Sequence, residues 1–205
     1  MSLFPIFVKL QNRLVVVVGG GTVAEGKISG LLTAGARVRV IAPEANASIT
    51  GLVQQERIEW RVKAFEPADL EDAFLVIAAT SASGVNDAVY READARGILC
   101  NAVDDVEHCH FYYGSVVQRG DLQIAISTNG RSPALAQRLR KELENQFGPE
   151  YEAWLESLGS ARELLRADGS DPESNKAVLH HLASRPMFEQ FLEQRRREEP
   201  RQGAA

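Results

Sequence analysis

Two cysteines, Cys100 and Cys109, are all that 205 residues contain, and they form no C-x-x-C pair. That excludes a zinc ribbon and a thioredoxin-like redox motif. Two free thiols fit a reducing compartment. No apolar run approaches the roughly 20 residues that a bilayer-crossing helix needs. The opening MSLFPIFVKL has no basic stretch ahead of its apolar residues, so it does not read as a secretory signal, and a cytoplasmic protein is expected. Positive charge is not in excess: Lys and Arg number 23 against 28 Asp and Glu, for a net charge of −5. General nucleic-acid binders are usually basic, so neither nucleic acid nor membrane is an expected partner. An anionic small molecule held by a local basic pocket remains compatible with this balance. No internal repeat is visible.

What is present is ordinary globular material, 44% hydrophobic and 25% charged. The first half alternates strand-like and helix-like segments. RLVVVV (13–18) is a β-branched run bounded by glycine, as in a strand buried on both faces. Residues 22–34 place Val23, Ile28, Leu31 and Leu32 at helical spacing, and Gly35 supplies a stop. ARVRVIA (36–42) is a second strand, ended by Pro43. A short helix over SITGLVQQE, a strand over IEWRVKAF (58–65), a strand over AFLVIAAT (73–80), a helix over 83–97 and a strand over ILCNAV (98–103) follow. This alternation predicts an α/β fold: a Rossmann-like parallel sheet in the order 3-2-1-4-5 with helices on both faces.

The rhythm changes after Val103. FYYGSVVQRGDLQIAIST (111–128) predicts an antiparallel hairpin joined by QRGD. Ser132 is placed to cap a helix with Pro133 at its first position. Residues 150–205 are helical in composition, with breaks at ADGSDPES and Pro186 and a solvated tail over RRREEPRQGAA. Domain boundaries are expected near 113 and 147.

The stretch LVVVVGGGTVAEGK (14–27) carries the first functional signal. Gly19, Gly21 and Ala24 match G-x-G-x-x-A, a permitted form of the dinucleotide fingerprint. Gly19 allows the tight turn out of the strand, Gly21 lets main chain approach a pyrophosphate, and Ala24 lets the helix pack on the strand. The helix start then offers free N–H groups and partial positive charge to the phosphates. The motif follows a strand and opens a helix, which is the context the fingerprint requires. The expected cofactor-binding set is Gly19, Gly21, Thr22, Val23 and Ala24, with Glu44 and Thr80. The acid that usually ends strand two is absent. VIAPE puts Ala42 there and Glu44 beyond a proline, so either Glu44 or main chain meets the ribose. No arginine stands there for a 2′-phosphate, which favours NAD over NADP.

Ligands of open parallel sheets bind beyond the carboxyl ends of the strands. Thr80 and Ser81 emerge there, as cofactor contacts or as simple turn residues. Asp104 and Asp105 end strand five. Either could take a proton from a substrate above a nicotinamide ring, or cap a turn. His108, Cys109 and His110 cluster next to them without a recognised ligand pattern, and no metal site is expected.

FPIFVKL, VVVVGGGTVAEGK, VIAAT, NAVDD and IAISTNGRSPALAQRLRKEL occur in this order and spacing. Together they resemble the precorrin-2 dehydrogenase/sirohydrochlorin ferrochelatase family, which includes the N-terminal module of sirohaem synthase. The match covers residues 4 to about 147, and STNGRSPALA is its most specific block. The resemblance implies NAD-dependent oxidation of precorrin-2 to sirohydrochlorin in sirohaem or cobalamin biosynthesis. In members with both activities it also implies insertion of a divalent metal, Fe²⁺ or Co²⁺, as a substrate. It implies a homodimer and three regions: an NAD-binding domain (1–113), a dimerisation and active-site region (114–147) and a helical C-terminal region (148–205). The family's essential aspartate maps onto Asp104. A carboxylate-rich macrocycle calls for cations and helix-start N–H groups, so Arg131 and Ser132 are the expected substrate-binding residues. Arg138 and Lys141 fit a solvated helix face better. Asn129 stands where relatives often have glycine, and asparagine tolerates the positive φ such a turn needs. The competing reading is an NAD-sensing regulatory module without catalysis. Such modules usually carry the strand-two acid and lack the STNGRSP block. A redox-sensing repressor would need a basic winged-helix region, and none is evident.

Overall fold

The computed structural model describes residues 3–169 and 171–198. The chain divides into two compact units, 1–113 and 114–205.

The first unit is a five-stranded parallel sheet in the order β3-β2-β1-β4-β5. Its strands are β1 (Leu14–Val18), β2 (Arg37–Ile41), β3 (Glu59–Arg61), β4 (Leu75–Ala78) and β5 (Leu99–Ala102). Helices α1 (Thr22–Thr33), α2 (Ala47–Gln54) and α3 (Ser83–Ala95) make the crossovers. Every residue of β1 and β4 is buried, as a central parallel strand between two helical layers requires. Alternation along β1 splits the core in two. Val15 and Val17 pack with Ile28, Leu31, Val40 and Ile49 on one face. Val16 and Val18 pack with Leu70, Val76, Val89 and Cys100 on the other.

β3 is shorter than its alternating pattern predicts. It pairs Arg39–Glu59, Val40–Trp60 and Ile41–Arg61, and β2 then ends at Ile41, with Pro43 two residues on, which leaves an edge strand no ladder to extend. The chain turns instead into a 3₁₀ segment, Pro67–Leu70, whose buried Asp69 receives the Glu66 N–H and ion pairs with Arg61 and Lys63.

The second unit begins with an antiparallel hairpin, β6 (Ser115–Arg119) and β7 (Leu122–Ile126), turned by Gly120 at φ 53°. Four helices follow: α4 (Pro133–Gln146), α5 (Glu150–Ala167), α6 (Pro172–Leu182) and α7 (Arg185–Glu198). Ser132 caps α4 by accepting the Leu135 N–H, with Pro133 at the first helical position. The Arg119 guanidinium donates to the carbonyls of Phe147 and Glu144, so a cation satisfies the end of α4. Phe188 is buried against Tyr151 and Trp154, with ring centroids 4.5 and 4.6 Å away. The break after Ala167 is observed, and Asp171 restarts the chain by capping α6. The break near Pro186 is observed too: α6 ends at Leu182 and α7 begins at Arg185, with Pro186 in the first turn of α7, where its missing N–H has no intrahelical partner to lose. The expected frayed tail is helical through Glu198 and otherwise lies outside the described residues.

Candidate functional site

A cavity of about 690 Å³ opens beyond the carboxyl ends of β1, β2, β4 and β5. It is lined by the glycine turn, by Ala42–Glu44, by Ala79–Ala82 and by Val103 and Asp104. Of the residues expected to bind cofactor or act on substrate, it brings together Gly19, Gly21, Thr22, Val23, Glu44, Thr80 and Asp104. Ala24 lies behind the turn, fully buried against the sheet, where a larger side chain would separate helix from strand.

The three glycines have three different reasons. Gly19 has φ 125°, and a Cβ there would overlap the Ala79 carbonyl and stand 3.3 Å from Thr80 N. Gly20 would overlap the Glu44 carbonyl and stand 2.9 Å from Ala45 Cα. Gly21 is the N-cap of α1 and lines the cavity, and a Cβ there would meet nothing within 4 Å. Gly19 and Gly20 are thus required by the protein's own packing. Gly21 is glycine where the protein needs none, and the bare main chain there leaves room for a ligand. The fingerprint did not flag Gly20; the signal for it was only the third consecutive glycine.

Asn46 is a second residue the sequence reading missed. Its N–H donates to Gly20 O at 2.9 Å, its side chain caps α2 through Ile49 N, and its amide donates to Glu25 on α1 at 2.6 Å. One residue, through its main-chain N–H and its side chain, thereby ties the glycine turn to two helices. Thr80 lines the cavity, but its hydroxyl is engaged within its own turn. It lies 2.8 Å from Asn86 Oδ1 and 3.0 Å from Ala82 O, and it accepts the Ala82 N–H at 3.2 Å.

Asp104 is exposed, and its backbone lies in the left-handed region at φ 63°. Aspartate tolerates that conformation better than most residues. The turn after β5 therefore carries the carboxylate out to the cavity rim. Lys27, on α1, puts its ammonium 3.7 Å from the Tyr113 ring centroid. Burial pulls the Lys27 pKa down, and the negative charge of Asp104 acts in the opposite sense.

Asp105 points elsewhere. Its carboxylate accepts the N–H groups of Glu107 and His108 and meets His108 Nδ1 at 2.6 Å. That pairing lowers the Asp105 pKa and raises that of His108. Asp87 lies 3.6 Å from the same nitrogen. Among the described residues, Asp87, Asp105 and His108 offer donor atoms within 4.8 Å of one another. Such a set would suit a divalent cation of borderline softness, and the ion pairs account for the grouping without one. His110 instead pairs with Asp94 at 3.1 Å, and both imidazoles pack on Tyr90. The Cys109 thiol donates to the carbonyls of Ala102 and Asp105.

Arg131 and Ser132 belong to the second unit. Arg131 is exposed, and its N–H closes a turn onto Thr128 O. The turn holds Asn129 at φ 53° and Gly130 at φ 74°. Arg138 pairs with Glu142 on an exposed helix face. No helix among the described residues is long and apolar enough to cross a membrane.

A model for NAD(P)-binding domains matches residues 6–115, and one for the sirohaem biosynthesis protein central segment matches residues 119–146. The siroheme synthase of Mannheimia succiniciproducens is 44% identical over 144 residues, covering 70% of this chain and 30% of that protein. Siroheme synthase 1 of Serratia proteamaculans is 44% identical over 207 residues, covering 89% of this chain and 44% of that protein. The chain thus spans less than half the length of the curated relatives it matches. A solved structure described as SirC, a precorrin-2 dehydrogenase, superposes with a TM-score of 0.77 at 27% identity, over 94% of this chain and 98% of that one. With more than half of its length inside the first model and the second following directly, the chain belongs to the NAD(P)-binding family, in the form that carries the sirohaem biosynthesis central segment.

Proposed function

We propose that this chain binds NAD in the cavity above the glycine turn and oxidises precorrin-2 to sirohydrochlorin, with Asp104 as the base. The observation that carries the reading is the shared cavity: a bare main-chain turn at a helix start forms one wall, and the Asp104 carboxylate stands on the rim of the same space. The volume and the largely apolar lining suit a dinucleotide's rings, and the helix start suits its diphosphate. When bound, the nicotinamide supplies a two-electron acceptor for hydride.

The chain's own residues do the rest. Gly21, Thr22 and Val23 receive the diphosphate on main chain. Glu44 meets the ribose. The described lining contains Glu44 and no Lys or Arg, so a 2′-phosphate would face a carboxylate without a compensating cation, which supports NAD over NADP. Asp104 accepts the proton that substrate carbon releases as hydride leaves, so that precorrin-2 and NAD⁺ give sirohydrochlorin, NADH and H⁺. The same carboxylate would take pyrrole N–H protons if Fe²⁺ or Co²⁺ is then inserted as a substrate. Arg131 and the N–H groups beside Ser132 bind substrate carboxylates, and the active form is a cytoplasmic homodimer. The resemblance to sirohaem-biosynthesis proteins supports these assignments.

Anaerobic incubation with precorrin-2 and NAD⁺ tests the reading. NADH should appear in step with sirohydrochlorin, and NADP⁺ should be the poorer oxidant. Tight NAD⁺ binding without turnover would favour a regulatory NAD-sensing module. Adding Fe²⁺ or Co²⁺ to sirohydrochlorin, against the rate without protein, tests chelation.

A further inference from the structure

We propose that Asn86, which does not line the cavity, is a positioning residue for dinucleotide binding, holding the Ala79–Ala82 turn in the shape the cofactor meets; the inference rests on the dinucleotide reading above. Asn86 is a polar side chain with only 7% of its surface exposed. It lies in the first turn of α3, and its side-chain hydrogen bonds all go to one residue. Asn86 Oδ1 accepts the Thr80 N–H at 3.2 Å and faces the Thr80 hydroxyl at 2.8 Å. Asn86 Nδ2 donates to Thr80 O at 3.0 Å. Both main-chain polar groups of Thr80 and its side chain are thus fixed by a single amide.

A primary amide is the side chain that can do this. Thr80 presents a donor and an acceptor on main chain, and only Asn or Gln offers the complementary pair without charge. The clamp acts where two loops touch. A Cβ at Gly19 would stand 2.8 Å from the Ala79 carbonyl carbon and 3.3 Å from Thr80 N, so the Ala79–Thr80 peptide is the surface against which the glycine turn stands. Releasing that peptide loosens both walls of the cavity. With the Thr80 hydroxyl spent inside the turn, its side chain has no proton left to donate to a ligand. What the turn offers the cofactor is therefore its shape, its main chain and the Ser81 hydroxyl, and Asn86 sets that shape. Preorganisation of this kind shows as affinity, because the ligand need not order the loop itself.

Asn86→Ala and Asn86→Asp in the full chain test the inference. The Asp variant keeps the size of the side chain but, when ionised, cannot donate to Thr80 O. NAD⁺ affinity is read by calorimetry at a temperature where each variant is folded by circular dichroism. Exchange of the Thr80 amide proton is read in the unliganded protein. Both variants should bind NAD⁺ roughly tenfold or more weakly, because the ligand must then order a wall that Asn86 otherwise holds in place, and their Thr80 amide should lose protection. The Asp variant should recover affinity as the pH falls and its carboxyl gains a proton, over a range in which the wild type changes little. Wild-type affinity in both folded variants would show that Asn86 serves stability alone and would overturn this inference. A wild-type chain that binds neither NAD⁺ nor NADP⁺ would instead overturn the dinucleotide reading itself.

Discussion

Adding one methyl group to Gly20 and to Gly21 should have opposite consequences, although the residues are neighbours. At Gly20 the new carbon would overlap the Glu44 carbonyl and stand 2.9 Å from Ala45 Cα. Those are main-chain atoms and cannot swing aside. They are anchored by the Asn46 N–H bond to Gly20 O and by the Asn46 cap on α2. The β2–α2 connection must therefore move as a body, at a cost of about 2–3 kcal/mol, the upper part of the range for overpacked cores. For a chain of this size that corresponds to a Tm lower by roughly 4–12 °C. At Gly21 the new carbon would meet no atom within 4 Å, so the fold should lose no more than about 1 kcal/mol, the usual penalty for alanine at an N-cap. The loss at Gly21 should fall on the ligand. Gly21→Val should fold and bind NAD⁺ far more weakly, because its branches fill the space left for a diphosphate. Thermal unfolding followed by circular dichroism, with calorimetric titration of NAD⁺, reads both effects. A Gly20→Ala variant with wild-type Tm, or a Gly21→Val variant with wild-type affinity, would refute the division of labour among the three glycines.

Two further expectations concern titratable groups. The ion pair with Asp105 raises the His108 pKa and lowers that of Asp105, so the contribution of the pair is full between about pH 4 and about pH 6.5, is lost as pH rises through the raised His108 value, and is lost again as pH falls through the lowered Asp105 value. Both groups are solvent-accessible, so the effect on stability should be small. The clear readout is the His108 ring titration by NMR, which should move down in Asp105→Asn; an unmoved midpoint would remove the pair. Burial pushes the Cys100 thiol up to about 12 and the Cys109 thiol above its ordinary value, so native protein at neutral pH should react slowly with a thiol reagent and titrate both thiols only when unfolded. Rapid labelling of the folded chain would contradict this.

The first unit was largely legible because each of its elements states its own rule. A β-branched run followed by three glycines and a helical spacing fixes strand, turn and helix within twenty-odd residues, and right-handed crossovers then leave the observed sheet order. The end of β3 was not legible, because its length is set by where β2 stops, and that information lies some twenty residues away at Pro43. The roles of Asn46 and Asn86 were hidden for the same reason. An asparagine near a helix start reads as a cap, and nothing local says that its amide reaches a different helix or a different strand end. By position alone Asp104 and Asp105 looked equivalent, and only the family resemblance pointed to Asp104. The structure separates them by backbone conformation: a left-handed φ carries Asp104 to the cavity rim, while Asp105 folds back onto His108. The Thr80 hydroxyl shows the converse, since its nearness to the cavity was legible but its engagement within the turn was not.

The proposed function requires a cofactor cavity and an acid, Asp104, that serves only the chemistry. Replacing Asp104 with alanine and measuring NAD⁺ affinity and precorrin-2 oxidation side by side tests that claim most directly. Asp104 is exposed, so the variant should fold and bind NAD⁺ much as the wild type does, while NADH formation falls by a factor on the order of 10²–10⁴, the usual contribution of a general base. NADH formation at near wild-type rate would contradict it.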